Sequence, residues 1–136
     1  MQQLTTRLLL TLPLLFLLSQ GVSHGQPTVR TKLAVECSDP AIRLNVTNDA
    51  MAKVNASGTH MLVDSGQAAL FIRLAVTVVR GAEGTPTAGK PVAVALAVLV
   101  TRSPAQDHEI ALLKASFVPI TDLETAVNQE IEDALQ

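Results

Sequence analysis

Residues 68–80, AALFIRLAVTVVR, and residues 91–102, PVAVALAVLVTR, decide the reading of this chain. In the first stretch Leu70, Ile72, Leu74, Val76 and Val78 alternate with Ala69, Phe71, Arg73, Ala75, Thr77 and Val79. In the second, Val92, Val94, Leu96, Val98 and Val100 alternate with Ala93, Ala95, Ala97, Leu99 and Thr101. A period of two over this length is the mark of a half-buried strand. Residues 81–90 (GAEGTPTAGK) hold three glycines and a proline between them, so the two strands form a hairpin with a flexible loop. Both strands put leucine or β-branched side chains on one face and mostly small ones on the other. That asymmetry is what a sheet covered by helices on one face requires.

The flanking segments supply the helices. Residues 28–37 (TVRTKLAVEC) alternate, with Val29, Thr31, Leu33, Val35 and Cys37 on one face, and predict a strand. Ser38-Asp39-Pro40 then starts a helix, with Asp39 as N-cap and Pro40 in the first turn. The helix extends over residues 40–55 and stops near Gly58. Asn45, Asn48, Asp49 and Ala52 gather on one side, and Ile42, Leu44, Val46, Ala50, Met51 and Val54 spread over a broad apolar arc. Residues 60–63 form a short apolar run before a turn at residues 64–67. Residues 109–118 predict a less regular strand that Pro119 ends. Thr121-Asp122-Leu123-Glu124 has the form of a capping box, opening a helix whose apolar stripe is Leu123, Val127, Ile131, Ala134 and Leu135. The order is β-α-β-β-β-β-α. The expected fold is α+β: a mainly antiparallel four- to five-stranded sheet with two helices packed on one face.

Residues 1–25 read as an address. Arg7 precedes an eleven-residue apolar run, residues 8–18 (LLLTLPLLFLL), too short to cross a membrane and weakened by Pro13. Ser23 and Gly25 fit the positions a signal peptidase reads, with cleavage before Gln26 and a second possible site after Gly21. No cysteine follows the apolar run directly, so a lipid anchor is not expected. The expected organisation is a signal peptide over residues 1–25 and one domain over residues 26–136, exported to the periplasm or the extracellular space.

Composition removes several functions. The whole chain of 136 residues has 10 basic and 12 acidic residues, a net charge of −2. Loss of Arg7 with the signal peptide makes it −3, which gives no electrostatic reason to expect nucleic acid or an anionic membrane as a partner. Aromatic residues are 2% of the chain, with no Trp or Tyr, so stacking platforms are nearly excluded. The single cysteine, Cys37, permits no intrachain disulfide and no cysteine zinc cage. No cofactor is expected.

The remaining candidates are few. Cys37 paired with His60 or His108 could form a thiolate, but Cys37 continues the apolar face of its strand, where cysteine acts as a small hydrophobe. Asp107-His108-Glu109, with His60, could be metal ligands, but adjacent residues of an extended segment point alternately, and a solvated loop tip explains them more simply. Between residues 122 and 133 there are five acids and no base, among them Glu130, Glu132 and Asp133. Their plainest reading is a solvated helix face. Asn45 and Asn55 head N-x-S/T sequons that matter only in a eukaryotic source. One lead survives: the second sheet face, formed by Phe71, Arg73, Ala75, Thr77, Ala93, Ala95, Ala97 and Leu99. If no helix covers it, this flat, apolar surface is a candidate protein contact.

The pattern Met61-Leu62-Val63-Asp64, then Ala69-Leu70-Phe71-Ile72, and a closing helix at Leu123-Glu124-Thr125-Ala126-Val127 resembles the amino-terminal domain of TolB and related small bacterial envelope domains. The resemblance covers nearly all of the chain after residue 25, is architectural, and carries no catalytic motif. It implies a non-enzymatic accessory role through contact with another envelope protein or with a second copy. Two other functions stay open from the residues alone: a small Cys/His-dependent enzyme, and a carrier of an aliphatic ligand in a pocket between helices and sheet.

Overall fold

A computed structural model of the chain describes residues 28–64, 68–103 and 109–136. The expected signal peptide, and with it Asp107 and His108, lies outside the described residues. The order of elements is β1 (Val29–Cys37), α1 (Pro40–Ala56), β2 (His60–Leu62), β3 (Leu70–Arg80), β4 (Pro91–Arg102), β5 (Glu109–Pro119), a 3₁₀ turn (Ile120–Asp122) and α2 (Leu123–Leu135). The strands form one sheet in the order β2-β1-β3-β4-β5, and the fold is α+β. The β3–β4 and β4–β5 pairings are antiparallel, as alternation and a hairpin loop predict. β1, in contrast, runs parallel to both of its neighbours, β2 and β3. Period-two alternation is blind to strand direction. The direction is set by the crossover through α1, because a parallel neighbour needs a connection of a dozen residues or more. The short run at residues 60–62 does join the main sheet: the Val29 N–H donates to the Thr59 carbonyl at 2.9 Å and the Val63 N–H to the Thr31 carbonyl at 2.9 Å.

The start of α1 forms as its sequence dictates. The Asp39 carboxylate accepts from the Ala41 and Ile42 N–H groups at 3.0 and 3.1 Å, and Pro40, which has no N–H to satisfy, occupies the first turn. The same carboxylate holds the Arg80 guanidinium at 2.8 Å, tying the hairpin base to the helix start. These contacts, the Ile42 N–H foremost, hold the Asp39 carboxyl below its usual value. Past the end of α1, Gly58 takes φ +70°, a left-handed conformation suited to glycine.

One layer of side chains makes the core. Ile72, Leu74 and Val76 of β3 and Val94, Leu96, Val98 and Val100 of β4 meet Ile42, Val46, Ala50 and Val54 of α1, and Leu123, Val127, Ile131 and Ala134 of α2. The apolar arc expected of α1 narrows to that four-residue stripe, one residue per turn. Leu44 is 60% exposed and Met51 41%. The expected capping box does not form. Residues 120–122 already wind as a 3₁₀ turn, so Thr121 never takes the extended backbone of an N-cap, and its hydroxyl donates instead to the Asp122 carboxylate at 3.4 Å.

α2 also carries a charge into the interior. Glu130 is buried, contrary to the solvated face expected for residues 122–133. Its Oε1 receives Lys114 Nζ of β5 at 2.9 Å, and Asp133 stands 3.7 Å from the same ammonium. Lys114 lies on the helix-facing side of β5, opposite Val98 in register, and the Glu130 carboxylate raises its pKa.

Candidate functional site

Both helices pack on one face of the sheet, and among the described residues nothing covers the other. The register lays that outer face out in rows across the strands. Ala34, Arg73, Leu99 and Leu113 form one row; Glu36, Ala75, Ala97 and Ala115 the next; Thr77, Ala95 and Phe117 a third. From β3 to β5 the middle row is a trough of methyl groups, with Arg73, Leu99 and Leu113 on one side and Thr77 and Phe117 on the other. A depression of about 240 Å³ opens there, lined by Glu36, Arg73, Ala75, Ala97, Leu99 and Leu113.

The face has two characters. Toward β1 it is cationic: Lys32 Nζ and the Arg73 guanidinium stand 5.1 and 5.3 Å from the centre of the Phe71 ring, one on the β1 side and one on β3 itself. Arg73 also reaches Glu36 at 3.5 Å. Toward β5 it is apolar. Ile110, Leu113 and Phe117 are 61%, 71% and 68% exposed, and all three belong to β5.

Of the eight residues singled out in the sequence, Arg73, Ala75, Thr77 and Ala95 are exposed, and Phe71, Ala97 and Leu99 are half-buried. Ala93 is a correction: only 7% exposed, it lies in register between Val79 and Pro119, where a lone methyl presents little surface. The three most exposed apolar side chains were missed. In β5 Leu113, Ala115 and Phe117 point outward, while Leu112, Lys114, Ser116 and Val118 face the helices. A lysine and a serine on the inner side mask the alternation that would have revealed them.

Among the described residues the other candidates do not assemble. His60 is in register with Val29, at the opposite end of β1 from Cys37, so eight residues, or about 26 Å, separate the two. The His60 ring faces the hydroxyls of Thr59 and Ser57 at 3.0 and 3.4 Å, and burial lowers its pKa. Cys37 is half-buried against the core, as its strand position predicts. No group of three or more metal-ligating residues occurs among the described residues. A cavity of about 660 Å³ between α1, the start of β4 and the entry to α2 is lined by Asn45, Asn48, Asp49, Thr121 and Glu124 as well as Ile42 and Leu123. Burial, and then Glu124, raises the Asp49 carboxyl above its usual value. Such a wall suits water or a polar guest better than an aliphatic chain.

The fold belongs to a class seen in small bacterial proteins. A hypothetical protein of Chlamydia trachomatis, CT253, superposes with a TM-score of 0.57 at 7% identity, over 79% of this chain and 96% of that one. The PelC dodecamer of Paraburkholderia phytofirmans superposes at 0.53 with 12% identity, over 81% and 87%. A Xanthomonas campestris protein of the DUF330 family, XCC0632, gives 0.37 at 13% identity, over 81% and 82%. At these identities the likeness is one of fold. No protein-family model and no curated protein matches the chain.

Proposed function

We propose that this protein is an exported, non-enzymatic accessory domain of the bacterial envelope that acts by protein contact through its uncovered sheet face. The observation that carries the reading is the alanine trough bordered by Leu113 and Phe117, both more than two-thirds exposed. Burying a side chain of that size stabilises an association by about 1.5–3 kcal/mol, so leaving two in water on one face favours a partner. Association on this fold has a precedent in the dodecamer formed by PelC. Export rests on residues 1–25, and the accessory role agrees with the resemblance to TolB amino-terminal domains. The partner is a second copy or another envelope protein.

The test begins with the full chain expressed in a Gram-negative host. Mass spectrometry of the periplasmic fraction should find Gln26 at the amino terminus; an intact chain held in the cytoplasm would remove the export reading. Ala75→Arg, placed in the trough at an exposed position, should abolish association and leave the circular dichroism spectrum unchanged. Association that survives it would show that the face is not the contact.

A further inference from the structure

We propose that β5 is a self-pairing edge, through which two copies join their sheets antiparallel about a two-fold axis at Ala115. This deepens the reading of a contact protein and commits it to one seam and one register.

The two edges of the sheet differ. β2 has three residues and offers little backbone to pair with, whereas β5 has eleven. Among the described residues no strand lies beyond β5. A long edge with unpaired backbone groups is a template for another strand unless something guards it. Among the described residues the usual guards are out of the way of the strand's centre or spent. A bulge sits near its start, where Thr101 pairs with Ile110 and Val100 with Leu112, and residues 112–118 continue regularly after it. Pro119 stands at the end of the strand rather than within it. Lys114 points inward, but Glu130 and Asp133 of its own chain already hold its ammonium at 2.9 and 3.7 Å.

The residues of β5 also fit themselves. In antiparallel pairing about Ala115, Leu113 of one copy stands opposite Phe117 of the other, and the pair occurs twice. Both side chains lie on the outer face, and both are exposed in the single chain. Aliphatic–aromatic pairs of this kind stabilise adjoining strands. On the inner face Lys114 meets Ser116, and Leu112 meets Val118. The neighbouring register, about Lys114, would place two lysines directly opposite each other and lose the Leu113–Phe117 pairs. Of these two registers sequence chemistry favours the one about Ala115, and the symmetry makes the interface isologous and closed.

Sedimentation equilibrium over a dilution series of the full chain, as purified after export, tests this. The parent should dimerise. Leu113→Lys and Phe117→Glu should each weaken the dimer by roughly tenfold or more, because each removes two cross-strand pairs. The double variant L113K/F117E should recover, since Lys then faces Glu across the seam twice. Within one chain those positions are about 13 Å apart, too far to pair with each other. Both are exposed, and circular dichroism checks that every variant folds. A monomeric parent, single variants that dimerise normally, or a double variant no better than the singles would each overturn the seam. Ala75→Arg, two strands from the edge, separates the two readings. If it alone dissociates the protein, the face is the contact and the seam is wrong. If it leaves the dimer intact while the β5 variants behave as expected, the seam stands and the trough is not the site of self-contact.

Discussion

Replacing Leu96 by alanine tests the two-faced construction of the sheet at its centre. Leu96 is 1% exposed, lies in register between Val76 and Ser116, and points toward the helices. Its loss removes apolar contact and leaves a cavity that a close-packed layer refills only in part. The cost is about 3 kcal/mol, within the range of buried leucine truncations. A domain of this size has a stability of about 5–10 kcal/mol, so the variant folds but keeps a much thinner margin. With a urea dependence of about 1.5 kcal/mol/M, the unfolding midpoint should fall by about 2 M. The companion change is Ala95→Leu, one residue away on the opposite face, where the side chain is exposed between Thr77 and Phe117. That substitution should stay within about 0.5 kcal/mol of the parent, a midpoint change of about 0.3 M. Both are measured by circular dichroism in urea at low protein concentration, to keep association out of the transition. A midpoint for Leu96→Ala within about 0.5 M of the parent, or an equal loss for both variants, would refute the assignment of faces.

Three further outcomes follow from the packing. Asp39→Ala should lower stability more than Asp39→Asn, because asparagine still caps the helix and loses only the Arg80 pair. Since folding lowers the Asp39 pKa, its contribution is present above the ordinary value of 3.8 and is lost as pH falls through the lowered one, so an acid titration followed by circular dichroism should lose its lower limb in the alanine variant. For Lys114 the sign is opposite: its pKa is raised above 10.5, chiefly by Glu130, so its contribution is held below that value and lost as pH rises through the raised one, and Glu130→Gln should bring alkaline unfolding to lower pH. Gly81→Ala should disturb the hairpin base, because a Cβ there would meet the Thr87 carbonyl oxygen, and the change should appear as a lowered melting temperature.

Much of this fold was legible because the informative residues act locally. Alternation in β3 and β4 reports which side is buried, and Asp39-Pro40 announces a helix through bonds made within three residues. What remained hidden depends on distant partners. The parallel setting of β1 is fixed by where α1 lays the chain down, and the strand itself would look the same in either direction. Thr121 and Glu124 have the spacing of a capping box, but the 3₁₀ turn after Pro119 decides the backbone before the side chains can. Lys114 is the clearest case. A lysine marks the solvent side of a strand unless an acid waits inside, and Glu130, sixteen residues later, is that acid. An inward lysine also breaks the alternation that would reveal Leu113 and Phe117, so the apolar half of the candidate surface was invisible from the same cause. Ala93 failed differently: the register gave its face correctly, and its neighbours Val79 and Pro119 leave it little surface.

The alternation that builds the hairpin also separates two kinds of inheritance. In β3, in β4 and in β5 from Leu112 onward, the even-numbered residues face the helices and answer to folding, while the bulge before Leu112 turns Ile110 to the outer face. The odd-numbered residues of these stretches lie on the outer face, which no helix covers among the described residues. Substitutions in one set leave the other nearly untouched, because away from a bulge successive side chains on a strand point to opposite sides. The outer face can therefore be redesigned residue by residue without reworking the interior.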